Sequence, residues 1–299
     1  MKLRRKIAST DFTENMMPQT RKAVFWDVLK LHWFDLLRLG FLLLIALLPV
    51  FVTTVTNDVY EARLIADLGE NLSEDALQEA NSAAIFFRSV SAFIFIPLYM
   101  LFAVVLSGAL RLIRQYAWEE VGFFWGDLWV GIKQNWKQTV ILAFLMGLQG
   151  AVSRYLNGIG VVTQDTAMKI VGGIFGGILW LIFFPIYAYM LIEIGIYSNS
   201  FMQNLKAGFA LYAKTPFKTV LVLLCLAAVF LSALLPNFLG HIIGPAVGIL
   251  LLPILLLIWF LFVSEQLDKY INPVHFPELI GRGLYQETLD QTEKEDLCD

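Results

Sequence analysis

Polar and apolar residues in this chain are sorted into long blocks, not interleaved at short period. A helix that crosses a bilayer core needs roughly 20 mostly apolar residues. Six blocks meet that requirement: 36–55, 89–110, 139–156, 170–196, 219–235 and 244–263. The third is the most polar, with Gln149 and Arg154, and the fourth is the longest. Backbone N–H and C=O groups cannot be left facing lipid, so each block is expected to be a helix. Outer-membrane barrel strands would instead alternate over about ten residues, and no such alternation is present. The fold class that follows is all-α: a polytopic membrane helix bundle with six transmembrane helices.

The segments between the blocks are not plain loops. In one of them Phe123, Phe124, Trp125, Trp129, Ile132 and Trp136 alternate with Asp127, Lys133, Gln134 and Lys137. Tryptophan prefers headgroup depth and lysine reaches phosphate, so this reads as an amphipathic interfacial helix. Residues 201–216, with Leu205, Phe209 and Tyr212 opposite Lys206 and Lys214, read the same way, as do residues 24–37 before the first block.

Charge placement orients the blocks. Of the 22 lysines and arginines, only Arg63, Arg88, Arg154 and Lys169 fall in the three segments that share one side. The positive-inside rule then puts both termini, and the amphipathic segments, in the cytoplasm. The basic start (Lys2, Arg4, Arg5, Lys6) lacks a following apolar core and cleavage site, so it reads as a cytoplasmic head, not a cleaved signal. Three regions result: a basic N-terminal part at 1–35, a membrane domain at 36–263 and an acidic tail at 264–299. Composition agrees, with 58% hydrophobic and only 16% charged residues, against about a quarter charged in a soluble domain.

An internal repeat is expected over 89–156 and 170–235. Phe95-Ile96-Pro97-Leu98-Tyr99 matches Phe183-Phe184-Pro185-Ile186-Tyr187. Asp127-Leu128 with Gly131 matches Asn204-Leu205 with Gly208, and both segments run into a Thr-Val pair. The two units share one orientation, which makes the repeat parallel.

Chemistry-bearing residues are few. Arg111 and Arg114 stand one turn apart at the end of the second block. With Glu119, Glu120, Trp125, Asp127, Lys133 and Lys137 they form a candidate cytoplasmic docking or headgroup-binding surface. The bland alternative is a set of snorkelling anchors that fix topology. Glu193 is the candidate intramembrane polar residue, either a proton or cation site or the partner of a lysine such as Lys206. Gly172, Gly173, Gly176 and Gly177 form two overlapping small-residue pairs suited to close helix packing. His32, His241 and His275 are scattered, and two cysteines, Cys225 and Cys298, make no framework. No catalytic motif, metal site or cofactor site is expected, and the chain is not read as an enzyme.

Gly108, Arg114, Tyr116-Ala117, Glu119-Glu120, Phe124-Trp125, Asp127-Leu128 and Asn135-Trp136-Lys137-Gln138 resemble the signature of the YesL-like family of bacterial multi-pass membrane proteins. Asn204-Leu205, Thr215-Pro216-Phe217-Lys218-Thr219 and Leu48-Pro49-Val50 resemble other parts of it. The resemblance implies a bacterial cell-membrane protein of unassigned biochemical role, accessory to carbohydrate or other solute uptake. Its implied partners are the lipid bilayer and a transport-system or other cytoplasmic protein, with no nucleic acid. Two alternatives stand beside it: a secondary transporter or channel with a polar pathway between the repeats, and the permease subunit of an ATP-driven importer. The last would need a Glu-Ala-Ala loop with a following glycine, and Glu119-Glu120-Val121-Gly122 has the wrong spacing.

Overall fold

The computed structural model describes residues 18–66, 74–118, 123–229 and 244–284. Every regular element among the described residues is helical. In chain order these are α1 (Arg21–Leu31), α2 (Trp33–Ala66), α3 (Glu74–Ser91), α4 (Phe95–Ala117), α5 (Phe124–Val162) and α6 (Thr166–Gly173). A π-helical turn, Ile174–Ile178, leads into α7 (Leu179–Ile196). Then come α8 (Phe201–Lys214), α9 (Pro216–Ala227), α10 (Gly244–Leu250), α11 (Leu252–Tyr270) and α12 (Asn272–His275).

Local chemistry sets several of the ends. The Thr20 hydroxyl accepts the Ala23 amide at the start of α1, and Asp165 accepts those of Ala167 and Met168 at the start of α6. Ser200 and Gln203 form a reciprocal capping box on α8. Each satisfies amides that a helix start leaves without partners. Pro216 opens α9, where its missing N–H costs nothing.

Four helical stretches are long and apolar enough to cross a membrane: Trp33–Leu64, Gln78–Ala117, Phe124–Val162 and Thr166–Ile196. A fifth results if α8 and α9, bent by 100° at Thr215, count as one. These features are those of a multi-pass membrane protein. The block at 219–235 is occupied by α9, and its remainder past residue 229 lies outside the described residues.

The structure differs from the expected elements at four places. The block at 244–263 is split between α10 and α11 around Leu251. Pro253 explains the break, because proline lacks the N–H and excludes the carbonyl four residues earlier. The block at 89–110 is likewise interrupted at 92–94, just ahead of Pro97. The aromatic–lysine segment expected as a separate interfacial helix is the beginning of α5, whose 39 residues run without a break. The amphipathic stretch 24–37 is divided at His32, where the backbone leaves the helical region.

The core joins α2, α4, α7 and α11. Leu36, Leu39 and Leu43, Leu112 and Ile113, Tyr189 and Ile192, and Leu257, Phe260 and Val263 pack together, fully buried. Val24 and Val28 of α1 cover one end of it, held there by an Arg21–Asp268 ion pair. Residues 264–284, expected as the start of a tail, belong to this folded body, with Gln266, Leu267 and Asn272 buried.

Two of the close contacts that need glycine hold α5 against its neighbours. A Cβ on Gly131 of α5 would stand 2.7 Å from the Arg111 Cβ and 3.0 Å from the Gly108 Cα of α4. A Cβ on Gly172 would stand 2.7 Å from the Asn157 amide nitrogen, and one on Gly176 would run into the Ser153 hydroxyl. The Ser153 hydroxyl also donates to the Gly172 carbonyl at 2.9 Å. Of the two small-residue pairs, then, Gly172/Gly176 makes the close approach. Gly173 and Gly177 have nothing within 4 Å of an added Cβ.

Gly131→Leu should therefore destabilise the protein by about 1–3 kcal/mol through overpacking. Gly177→Leu should leave it within about 0.5 kcal/mol of the parent, as an open-surface change. Thermal unfolding of the detergent-purified variants checks both.

Candidate functional site

Two helical stripes face each other where α4 ends and α5 begins. On α4 the stripe is Gly108, Arg111 and Gln115; on α5 it is Asp127, Gly131, Gln134 and Gln138. Spacings of three and four residues keep each set on one face. The glycine contact brings the faces close enough for short polar side chains to meet.

Asp127 is the hub. It forms an ion pair with Arg111 at 3.5 Å and accepts from the Gln115 amide at 2.9 Å. Its other oxygen accepts the Phe123 backbone N–H at 2.7 Å, a favourable place for negative charge at the start of a helix. Arg111 also donates to Gln134 at 2.9 Å. Arg114 reaches across to α7 and donates to the Gly195 carbonyl at 2.7 Å, with its guanidinium 5.4 Å above the Trp118 ring. Gln138 donates to the Asn199 carbonyl at 2.8 Å and accepts from Asn204 of α8 at 3.0 Å. Four helices are thus bracketed at one end.

The other expected members of this surface among the described residues face outward. Trp125 and Trp129 are 65% and 58% exposed. The Lys133 ammonium lies 5.5 Å over the Trp129 ring, and that of Lys137 lies 6.0 Å over Trp136. Glu119 and Glu120 lie outside the described residues. Arg111, Arg114 and Asp127 therefore form an internal brace, and Trp125, Lys133 and Lys137 a separate outer face. Gln115, Gln134, Gln138 and Asn204 complete the brace and were not among the expected residues, although the helical spacing of the three glutamines from Arg111 and Asp127 marks the stripe.

Glu193 is fully buried on α7, and neither carboxyl oxygen has a hydrogen-bond partner among the described residues. It does not meet Lys206, which is exposed on α8. One turn before it, the Tyr189 hydroxyl bonds Thr215 at 3.1 Å and Thr219 at 2.8 Å. One turn after it, the Tyr197 hydroxyl donates to Asn272 at 2.5 Å. Burial, reinforced by the carboxyls of Glu193, Asp268 and Glu278, pushes the Tyr197 phenol above its ordinary range and keeps it a donor. Asn272 in turn donates to Asp268 at 2.8 Å. Glu193 sits between these two satisfied clusters and belongs to neither.

The third feature is a cavity of about 560 Å³ between α4, α5, α7, α9 and α11. Its walls are almost wholly apolar, including Phe95, Met146, Phe184 and Leu223, with Arg154 at one edge. A smaller hollow of about 440 Å³, lined by Arg88, Ser89 and Asn157, shares Arg154 with it. Among the described residues no three His, Cys, Asp or Glu side chains come together as a metal-ligand set.

Comparison with family models, with curated proteins and with solved structures gives no match. The YesL-like resemblance therefore rests on the residues quoted for it.

The brace makes a quantitative prediction. Asp127→Ala removes a charged acceptor from several donors and should destabilise by about 1.5–3 kcal/mol. Combining it with Arg111→Met should cost less than the two single changes summed, because they share one network. Trp125→Ala, on the outer face, should stay within about 0.5 kcal/mol. Chemical or thermal unfolding in detergent reads all four proteins.

Proposed function

We propose that this chain is a non-enzymatic, multi-pass membrane protein of the YesL-like type. In this reading it has six spans and both termini in the cytoplasm of a bacterial cell, and it is an accessory component of a membrane assembly such as a solute-uptake system. It is not itself the path of a hydrophilic solute. The observation that carries this reading is the character of the interior: the space between the helices is walled by Phe, Leu, Met and Ala side chains. A sugar or ion path would instead need successive polar groups to replace lost hydration. The brace of Arg111, Asp127, Arg114 and Gln138 supports it too, since these polar groups are engaged within the protein. Trp125, Trp129 and Trp136, with their lysines, suit the headgroup layer on the cytoplasmic side.

Glu193 favours a second reading. A buried carboxyl without a partner is a feature of proton- or cation-coupled carriers, and it keeps a secondary transporter as the runner-up.

Two measurements test these readings. In a background without Cys225 and Cys298, single cysteines at Asn71 and Gln164 should react with an impermeant thiol reagent in intact cells. One at Thr292 should react only after lysis, and its labelling in intact cells would refute the topology. Purified protein in vesicles should take up radiolabelled sugars no faster than protein-free vesicles. Uptake that is abolished by Glu193→Gln would replace the accessory reading with the transporter.

A further inference from the structure

We infer that the apolar cavity and the hollow beside it form one binding site for a phosphate-headed anionic lipid. Its acyl chain would lie in the cavity and its headgroup at Arg154 and Arg88. The inference goes beyond the accessory role and rests only on the membrane-embedded part of that reading.

Size and shape come first. The cavity's volume of about 560 Å³ is within the roughly 300–1,000 Å³ typical of small-molecule sites. Along α5 its wall runs from Thr139 to Arg154, about 22 Å at about 1.5 Å per residue. One leaflet of a bilayer core of about 30 Å is about 15 Å deep, so a whole acyl chain fits lengthwise. Four of the residues in the α5 wall are small, Ala143, Gly147, Gly150 and Ala151. A Cβ on Gly150 would meet nothing within 4 Å.

Polarity selects the occupant. The lining offers few free polar groups: the Thr139 hydroxyl donates to the Asn135 carbonyl at 2.8 Å, and the Trp259 indole N–H to the Ala188 carbonyl at 2.8 Å. Arg154 is different. It is exposed at the junction of the two hollows, and no carboxylate lies within ion-pair distance of it among the described residues. Arg88, on the far wall of the smaller hollow, is only loosely engaged, 3.8 Å from Asp58 and 3.6 Å from Glu61. Asn157 lines the same hollow. Two guanidinium groups at the mouth of an apolar slot complement a chain that ends in a phosphate, which arginine recognises bidentately. A zwitterionic headgroup would bring a choline cation to the same two cations.

The test is native mass spectrometry of the purified full chain with phosphatidylglycerol and phosphatidylcholine of identical acyl chains. Phosphatidylglycerol should bind at least about tenfold tighter, equivalent to about 1.4 kcal/mol. Arg154→Gln should reduce that preference to near parity. Gly150→Trp, or Ala143→Phe should the first not fold, should lower retention of both lipids at an unchanged unfolding temperature. Equal binding of the two lipids by the parent would overturn the inference in favour of a crevice that any lipid fills. So would a preference unaffected by Arg154→Gln, which is the outcome if Arg154 merely snorkels to water. Because thiol labelling reads the spans and lipid selectivity reads the site, failure of one leaves the other standing.

Discussion

The approach of α4 to α5 at Gly108 and Gly131 is the contact on which one end of the bundle depends. At 3.0 Å between a hypothetical Cβ and a backbone atom, no other residue permits the same separation. Only at that separation can Asp127, a short side chain, hold Arg111 and Gln115 at once. Because α4 is fixed this way, Arg114 is positioned to reach the Gly195 carbonyl of α7. Because α5 is fixed, Gln138 is positioned for Asn199 and Asn204. A backbone contact with no side-chain chemistry of its own thus aligns the polar network that joins four helices.

The interior divides into two regimes. Toward the α4–α5 connection, polar side chains are joined in one network around Asp127 and Gln138, although the side-chain carbonyl oxygens of Gln115 and Asn204 are buried with no hydrogen-bond partner among the described residues. Deeper along α5 and α7 the walls are apolar, and packing relies on small residues and shape, as expected where lipid tails are as apolar as the helices they surround. Glu193 stands at the boundary, with satisfied tyrosines one turn away on both sides and no hydrogen-bond partner of its own among the described residues.

Helices α2, α4, α5 and α7 were legible in the sequence because the length needed to cross a bilayer is long compared with local fluctuations in hydropathy. Their interruptions were not. Apolar residues continue across both Leu251 and Phe93-Ile94, and the nearby Pro253 and Pro97 are the local signals of a break. Proline alone is ambiguous, since Pro49 and Pro185 sit inside unbroken helices. The site was half legible. Charge and aromatic content marked 111–137, yet which charges turn inward depends on α5 running straight out of the segment, with no second helix between. Lys206 as partner of Glu193 failed on helical phase: the buried face of α8 carries Asn204, Gly208 and Leu211, and position 206 points away from it. The apolar cavity had no signal at all, because a space between five helices is a property of their arrangement and of no single segment.

The π-helical turn at Ile174–Ile178 has a consequence for how α6 and α7 share the work. Within it the Leu179 amide bonds back five residues to Ile174, in place of the usual four, so it carries one residue more than an α-helix would. That extra residue offsets everything downstream by about 100° around the axis. Gly172 just ahead of it nestles against Asn157, and Gly176 within it against Ser153; beyond it, Ile186 and Met190 meet Leu142 on the same neighbouring helix. The turn works as a phase shifter, letting one rod keep two differently spaced faces in register with α5. A one-residue deletion there would leave both stretches helical and equally hydrophobic. It would also swing Tyr189 away from its threonines and carry the Glu193 carboxyl out of the protein interior toward the surrounding hydrocarbon.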